Sequence, residues 1–233
     1  MNILAFETSA KSAAVALMRD GDLLGEYFQN SGQTHSRTIM KMAEDLLRNC
    51  DLTVADIDVA ACAAGPGSFT GVRIGLAAAK GFSWGKELPL IGVSTLEAMA
   101  RGVANADGVY CAAMDARREQ VYAAVFELCD GEFIRLTEDA ALSMDELRDF
   151  LKDIEKDKFL VGDGAALCYN NFGEISRMHL LPEHLRMQRA AGVALLAWEQ
   201  MQAADIPDAS AVVPNYLRLS QAERERLKKT EME

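Results

Sequence analysis

The sequence predicts a two-lobed α/β protein in which each lobe is a mixed β-sheet flanked by helices. Apolar runs of strand length alternate with segments of helical periodicity along the whole chain. Each half begins with apolar runs joined by an Asp-Gly pair, Asp20-Gly21 and then Asp130-Gly131, and glycine accepts the positive φ of a tight hairpin turn. This weak repeat predicts one lobe over residues 1–104 and a second over 105–233, with the last helix a candidate to pack back onto the first lobe.

The first half reads as three antiparallel strands followed by alternating helices and strands. A stripe of apolar residues at helical spacing marks the first helix, and a Gly-Pro-Gly break ends the fourth strand. The predicted strands are 1–8, 13–18, 23–28, 57–64 and 90–93, and the predicted helices are 34–50, 72–84 and 96–103.

The second half repeats the opening and ends in a charged tail. The tail alternates basic residues with Glu223 and Glu225, which is typical of a solvated helix face. The predicted strands are 109–115, 120–128, 132–136 and 159–161. One predicted helix starts at Ser143, and another covers 190–201. A loop is predicted between Pro207 and Pro214, and the basic residues of the tail are Arg224, Arg226, Lys228 and Lys229.

Charge and composition exclude several classes of protein. With 35 acidic and 24 basic residues the chain carries a net charge of −11, so a role near tRNA would need a basic partner to hold the phosphates. No apolar run is long enough to span a membrane, and the N-terminus lacks the pattern of a secretory signal. The five cysteines form no CxxC pair, as expected of reduced thiols. We therefore expect a cytoplasmic protein without membrane contact.

Residues that could carry catalysis are missing from the expected places. The two-lobed pattern resembles the actin-like (ASKHA) superfamily of sugar kinases and heat-shock ATPases, which hold phosphates on glycine-rich turns, one per lobe. Here the corresponding turns, 6–11 and 114–118, contain no glycine, so we expect a cleft too crowded with side chains for ordinary ATP hydrolysis. The three histidines form no metal-binding pair, and no GxSxG is present. We predict degenerate nucleotide and metal sites, with no catalytic residue, metal ligand or cofactor in the isolated chain.

The most distinctive stretch is the glycine-rich run over residues 65–75. A strand, a glycine turn and a helix N-terminus could bind an anion, but the run matches neither GxxxxGK[ST] nor GxGxxG. Gly71, Gly75 and Ala79 share one helix face, and a face without large side chains lets another helix approach closely. Whether that helix belongs to this chain or to a partner stays open.

Several motifs together resemble the TsaB (YeaZ) family. They are Phe6-Glu7-Thr8-Ser9, the GPGSFTGVRIGL run from Gly65 to Leu76, Ala79-Lys80-Gly81, Gly92-Val93-Ser94-Thr95-Leu96, Met114-Asp115-Ala116-Arg117 and Tyr216-Leu217-Arg218. The resemblance implies a non-catalytic subunit for the synthesis of threonylcarbamoyladenosine (t6A) on tRNAs that read codons beginning with A. It further implies that the chain forms a heterodimer with the catalytic subunit TsaD and that the ATPase TsaE joins the two as a third component. The chain would contact tRNA only through this complex. A nucleotide at the partner interface stays open.

The resemblance to TsaD itself is informative at one position. TsaD carries a similar segment whose two histidines bind a metal, and Thr95 and Met99 stand at the matching positions here. Neither residue suits the hard or borderline metal of such a site. Ser94 and Glu97 instead predict a capping box at the start of this helix.

The family implies that the partner packs against the helices of the first lobe. We predict an interface that identical chains could also use to form a homodimer, and we expect Gly75→Arg to abolish it without harming the fold. The alternatives are an ATP-dependent kinase-like enzyme of the actin-like superfamily and a metallopeptidase. The predicted interface residues are His35, Ile39, Met42, Leu46, Gly71, Gly75 and Ala79. Methionine suits adaptable contact surfaces, but a methionine stripe at helical spacing is more often core, so packing of the first helix inside this chain stays the alternative.

Overall fold

Both Asp-Gly pairs form the hairpin turns that the sequence predicts. In the computed structural model, which describes residues 1–203 and 209–218, Asp20 and Gly21 have φ angles of 50° and 91°. Asp130 and Gly131 have φ angles of 52° and 84°. Positive φ at both central residues is the geometry of a type I′ turn, whose twist matches that of the flanking strands. Each turn therefore joins the second and third strands of its half.

Every element predicted for the first half is present. The helix after the glycine run begins at Phe69, earlier than predicted, because the Ser68 hydroxyl accepts a hydrogen bond from the Gly71 amide at 3.3 Å and caps the helix. The elements are β1 (Asn2–Glu7), β2 (Ala13–Arg19), β3 (Asp22–Gln29), α1 (His35–Asn49), β4 (Val59–Gly65), α2 (Phe69–Lys86), β5 (Leu90–Ser94) and α3 (Thr95–Arg101).

Among the described residues of the second half, four short strands and α-helices were not predicted from the sequence: β9, α5, β11 and α6. Each has eight residues or fewer, so periodicity carries little signal, and β9 and β11 exist because their backbones pair with β7 and β10. The elements are β6 (Gly108–Asp115), β7 (Gln120–Cys129), β8 (Glu132–Arg135), β9 (Ala140–Ser143), α4 (Met144–Leu151), β10 (Lys158–Val161), α5 (Ala165–Phe172), β11 (Met178–Leu180), α6 (Glu183–Arg186) and α7 (Ala190–Gln202).

The two sheets repeat one topology, which confirms the weak repeat in the sequence. The first sheet has the order β3-β2-β1-β4-β5, and the second has β8-β7-β6-β10-β11 with β9 also paired to β7. In each sheet a three-stranded antiparallel meander is followed by two parallel strands. The parallel strands end at the same edge of their sheet, which is where α/β proteins place ligands.

Both faces of the first sheet are buried. Along β1, Leu4 and Phe6 point to the side covered by α1 and α2, and Ile3 and Ala5 point to the side covered by α7. This alternation follows from the two-residue period of a strand, and it explains why β1 reads as a continuous apolar run.

Helices α3 and α7 hold the two halves together. Leu96 and Met99 of α3 pack in the core of the second sheet, while Ala98 packs in the core of the first. A Cβ atom on Gly192 of α7 would lie 2.1 Å from the Ala98 carbonyl oxygen, so the missing side chain lets the two helices touch. Helix α7 thus packs on the first sheet, although it follows the second sheet in the chain.

Part of the predicted loop after α7 and the charged tail, with Arg224, Arg226, Lys228 and Lys229, lie outside the described residues. The lobe boundary at residues 104 and 105 stays a prediction. Within the described ranges, no helix combines the length and the apolar character that crossing a bilayer requires.

Candidate functional site

The glycine-rich run forms a tight turn between β4 and α2, wedged between two other backbone segments. A Cβ atom on Gly67 would lie 2.6 Å from the carbonyl oxygen of Ser9, and one on Gly65 would lie 2.6 Å from that of Asn215. Gly65 also has a φ of +113°, which side chains rarely adopt. The Ser68 amide donates a hydrogen bond to the Ser9 carbonyl at 2.7 Å. These glycines are therefore required by backbone packing within the chain.

Residues 212–218, here named the C-terminal strap, cross this turn and reach the second sheet. Tyr216 stacks on Phe69 with ring centroids 4.6 Å apart, and the Arg73 guanidinium lies 3.9 Å from the Phe69 centroid. Beyond the stack, Arg218 donates a hydrogen bond to the Ala116 carbonyl at 3.0 Å. The Tyr-Leu-Arg motif of the sequence thus bridges α2 and the β6–β7 turn.

A cavity of about 490 Å³, here named the interlobe cavity, lies between the β1–β2 turn, the β6–β7 turn, the start of α2 and the strap. We expected side chains to fill the cleft between the two halves, and this expectation is wrong, because an open cavity remains there. The turns lack glycine, but their side chains line the cavity and leave its centre open. Its lining is Ser9, Ala10, Lys11, Pro66, Gly67, Ser68, Phe69, Thr70, Met114, Asp115, Ala116, Arg117, Tyr122, Asp163, Asn215, Tyr216, Leu217 and Arg218.

Two acidic side chains that repel each other are buried in this part of the molecule: Asp163 lines the cavity, and Glu7 is the last residue of β1 and lies outside the cavity lining. Burial raises the pKa of Glu7 from 4.5 to about 7, even though its carboxylate accepts a hydrogen bond from the Ser9 amide at 2.5 Å. Burial also raises the pKa of Asp163, which accepts a hydrogen bond from Gln188 at 2.9 Å and adds to the Glu7 shift by repulsion. Both carboxyl groups therefore hold protons more tightly than exposed ones.

The β6–β7 turn has an unusual backbone. Arg117, Arg118 and Glu119 have φ angles of 63°, 56° and 58°, three successive left-handed residues without a glycine. Asp115 supports the turn, because its carboxylate accepts a hydrogen bond from the Arg117 amide at 2.7 Å. Such strain persists where the surroundings fix it, and it is common at functional sites.

The predicted interface residues face this chain's own core, apart from His35. Ile39, Met42 and Leu46 are buried between α1 and the first sheet. Half-buried His35 forms a hydrogen bond of 2.8 Å to the Ala10 carbonyl. These residues are buried because α1 is amphipathic and turns its apolar stripe toward the sheet.

The small-residue face of α2 is also turned inward. A Cβ atom on Gly71 would lie 2.1 Å from the Thr8 carbonyl oxygen, and one on Gly75 would lie 2.5 Å from the Thr8 hydroxyl. Ala79 is fully buried. The segment that packs against this small-residue face is the end of β1 in the same chain. Gly75→Arg would therefore damage the fold, and the expectation that the fold would tolerate it is wrong. A partner interface stays a prediction, and these six side chains would not form its exposed part in the folded chain.

A second apolar face, not noticed in the sequence, points away from the sheet on the same two helices. We name it the outward face: Ala77, Gly81 and Trp84 of α2 and Met40 of α1. Trp84 is 88% exposed and Met40 47% exposed. A Cβ atom on Gly81 would meet no other atom within 4 Å. The spacing of Ala77 and Gly81 equals that of Gly71 and Gly75, so the sequence carried two small-residue stripes and only burial tells them apart.

Thr95 and Met99, the two positions that the resemblance aligned with metal-binding histidines, are packed in the core. Thr95 is fully buried and Met99 is nearly so. The Ser94 hydroxyl caps α3 by accepting a hydrogen bond from the Glu97 amide at 3.2 Å, as predicted. The reciprocal half of the predicted capping box is wrong, because the Glu97 carboxylate pairs with Arg135 instead. Within residues 1–203 and 209–218, no group of three His, Cys, Asp or Glu side chains is arranged to hold a metal ion.

Comparisons with known proteins agree with this geometry. The family model described as "TsaD: tRNA N6-adenosine threonylcarbamoyltransferase" matches residues 26–226. The tRNA threonylcarbamoyladenosine biosynthesis protein TsaB of Bacillus subtilis is 31% identical over 225 residues, which cover 96% of each chain. The TsaB protein of Escherichia coli is 42% identical over 129 residues, covering 54% of this chain and 55% of that one.

A solved structure, YeaZ from Pseudomonas aeruginosa, superposes with a TM-score of 0.75 at 26% sequence identity, covering 93% of this chain and 99% of that one. The repeated sheet topology and this similarity confirm the predicted α/β fold class with two mixed sheets flanked by helices. The sequence matches extend over nearly the full length of the chain. This protein is a member of the TsaB (YeaZ) family, within the wider group of TsaD-like domains.

Proposed function

We propose that this chain is a non-catalytic subunit in the synthesis of threonylcarbamoyladenosine on tRNA, and that it works by pairing with a catalytic TsaD-type subunit. Family membership supports the pathway. The single observation that carries the mode of action is the outward face, where a large aromatic residue stands 88% exposed beside small residues. An exposed aromatic anchor on a shallow apolar surface is typical of a protein interface.

The buried threonine and methionine at the TsaD-like metal positions support the non-catalytic assignment. Thr95 and Met99 pack between apolar neighbours, and neither could reach an ion without opening the core around α3. The reaction would then take place on the partner. TsaE is the third component that we propose, in line with the family resemblance.

The net charge supports an indirect role at tRNA. Because the proposed complex works on tRNA, we place it in the cytoplasm. A chain with a net charge of −11 is repelled by phosphate backbones, so the proposed partner would supply the basic surface. The outward face is also compatible with a two-fold homodimer when the partner is absent.

Two variants of the outward face test the proposal. Trp84→Ala should weaken binding to the cognate TsaD-type protein about thirtyfold, the loss typical of a hot-spot aromatic worth about 2 kcal/mol. Gly81→Arg should block it, because an arginine would stand on the surface that the partner approaches. Calorimetric titration gives the affinity, and thermal melting should show both variants folded, since neither position contacts the core.

Phe150→Ala is the control, because Phe150 is an exposed aromatic residue on α4, 42% exposed, in the other half of the chain. It should bind the partner as tightly as the unmodified chain does. Wild-type affinity in both Trp84→Ala and Gly81→Arg would remove the outward face from the proposal.

An ATP-dependent enzyme is a second candidate, and the interlobe cavity is the observation in its favour. This alternative predicts phosphate release from ATP by the isolated chain, whereas the subunit proposal predicts none. A turnover assay with ATP and magnesium on the purified protein separates the two functions.

A further inference from the structure

The outward face lies on the positively charged part of an acidic chain. Helices α1 and α2 together carry six basic and two acidic residues, a charge of +4, whereas the whole chain carries −11. With histidine neutral, each of the other α-helices among the described residues has a charge of zero or below. Basic residues are therefore concentrated on the two helices that form the outward face.

Two cations of α2 share the stripe of the exposed tryptophan. Arg73 lies four residues before Ala77, and Lys80 lies four residues before Trp84, so each is a neighbour of an outward-face residue on the helix surface. Arg73 is exposed and Lys80 is half-buried. Because α2 contains no acidic residue, Trp84 belongs to a stripe whose charges are all positive.

Two cations of α1 flank the exposed methionine. Arg37 lies three residues before Met40, and Lys41 follows it directly; both are exposed. Glu44 is the one exposed acidic residue of this helix. We name the four cations beside the outward face the cationic rim: Arg37, Lys41, Arg73 and Lys80.

The described part of the chain does not neutralise the cationic rim. Arg37 donates a hydrogen bond to the neutral amide of Gln33 at 3.1 Å, and Arg73 is held by the two aromatic rings at the strap. Lys41 and Lys80 form no hydrogen bond or ion pair with any described residue. The four positive charges are therefore available to another molecule.

Two exposed cations in the other half of the chain show the opposite arrangement. Arg148 of α4 pairs with Asp145, and Lys152, which follows α4, pairs with Asp149, each at 3.0 Å. With 35 acidic and 24 basic residues, the chain has carboxylates enough to pair every cation, so the unpaired rim is a distinct feature of α1 and α2. An apolar centre surrounded by charges of one sign is complementary to a surface of the opposite sign.

Two other occupants fit these charges less well. In a two-fold pair, a second copy of this chain would place the rim against the same rim, and like charges repel. RNA would be attracted by the +4 of the two helices and repelled by the remainder of the chain, which carries −15 of the total of −11. A phosphate backbone also offers no apolar surface to cover Trp84 and Met40.

We propose that the outward face and its cationic rim dock an acidic protein surface, an apolar patch framed by Asp and Glu side chains on the TsaD-type subunit. This inference rests on the proposed function and adds to it the chemistry of the partner's surface. The rim attracts that surface before contact, and the apolar centre then holds it. The same charges favour the partner over a second copy.

The test is the salt dependence of the association rate constant, measured by stopped-flow mixing of the full chain with the cognate TsaD-type protein. Raising NaCl from about 0.1 M to about 1 M shortens the screening distance from about 10 Å to about 3 Å. The rate constant should therefore fall about tenfold. A change of less than about twofold, or a rate that rises with salt, overturns the inference.

Charge variants locate the effect. Lys41→Gln/Lys80→Gln should lower the rate constant about fivefold at the lower salt concentration and leave it unchanged at the higher one. Arg148→Gln/Lys152→Gln removes the same number of charges from the other half of the chain, and this matched control should stay within about twofold of wild type. Glu44→Gln, which removes the acidic residue beside the rim, should raise the rate constant about twofold. Equal slowing by the two double variants overturns the role of the rim.

Three further outcomes separate this inference from the proposed function. Binding that requires Trp84 but ignores salt and the rim overturns the acidic partner surface alone. Absence of binding by the unmodified chain at both salt concentrations overturns the inference and the proposed function together. Saturable binding of labelled tRNA by the isolated chain, weakened by Lys41→Gln/Lys80→Gln, assigns the rim to RNA and overturns the docking of an acidic protein.

Discussion

Nε of Arg73 donates a hydrogen bond of 2.6 Å to the hydroxyl of Tyr216, a residue 143 positions later in the chain. The same guanidinium stacks over Phe69, so an exposed arginine is fixed by two aromatic rings. This contact ties the C-terminal strap to the start of α2. It joins two motifs of the family resemblance that lie far apart in the sequence.

Tyr216→Phe should therefore loosen the strap without emptying the stack. We expect the free energy of unfolding to fall by about 1 kcal/mol, the net value of one hydrogen bond. Tyr169→Phe is the matched control, because Tyr169 has the same 39% exposure and its hydroxyl bonds to no described residue. Urea denaturation of both variants measures the difference. If both variants lose the same free energy of unfolding relative to wild type, the hydrogen bond between Arg73 and Tyr216 adds nothing to stability.

The two small-residue stripes of α2 predict opposite effects of one substitution. Gly75→Ala should destabilise the chain by about 2 kcal/mol, because the new Cβ would lie 2.5 Å from the Thr8 hydroxyl. That hydroxyl is buried and already donates a hydrogen bond to the Gly71 carbonyl at 2.7 Å, so it cannot move without loss. Gly81→Ala should instead stabilise the chain by about 0.5–1 kcal/mol, since its Cβ has open space and alanine favours a helix. Thermal melting should show a lower melting temperature for Gly75→Ala and a higher one for Gly81→Ala than for wild type. Shifts of the same sign would contradict the difference between the two stripes.

The same helix shows how far the sequence alone could lead. The glycine run and the repeat of hairpin turns are local signals, and with the order of strands and helices they predict the fold class. The interface prediction chose α1 and α2, and six of its seven residues are buried in this chain, because Gly71 and Gly81 look alike until Thr8 is known to lie against one of them. Which surface a partner would use stays a prediction. The cavity was missed for a related reason. A turn without glycine, such as 9–11, predicts a space filled by side chains, whereas Lys11 lines an open cavity of about 490 Å³.

The buried Glu7 predicts a pH dependence of stability with a definite sign. The folded-state pKa is about 7 and the ordinary value is 4.5, so between these pH values the folded chain holds a proton that the unfolded chain releases. The stability from this group is complete below pH 4.5 and is lost as the pH rises to about 7. The loss is about 3 kcal/mol, at roughly 1.4 kcal/mol per pH unit.

Glu7→Gln removes this titration while keeping an oxygen for the Ser9 amide. Relative to wild type, the variant should gain about 3 kcal/mol in free energy of unfolding between pH 4.5 and pH 8. Glu44→Gln, at an exposed position on α1, is the control for a changed surface charge. Urea titrations at a series of pH values give the profiles. A Glu7→Gln profile parallel to wild type would mean that the carboxyl group is not protonated in the folded chain.

An ion-pair network joins the two halves at α3. Arg135 of β8 pairs with Glu97 of α3 and with Asp139 at 2.8 Å, and all three side chains are at least half-buried. Arg135→Met should lower the free energy of unfolding by about 2 kcal/mol, because two carboxylates with little access to water would lose their shared cation.

Arg148→Met on α4 is the matched control, since Arg148 pairs with Asp145 at 3.0 Å on an exposed helix surface, where an ion pair is worth about 0.5 kcal/mol. A double-mutant cycle with Glu97→Gln isolates the contact between α3 and β8. A coupling of about 1 kcal/mol is expected, because the two residues share one buried network. In a double-mutant cycle, only residues that interact show a coupling. If the effects of Arg135→Met and Glu97→Gln were simply additive, the ion pair would contribute nothing, and the packing of Leu96 and Met99 alone would join α3 to the second sheet.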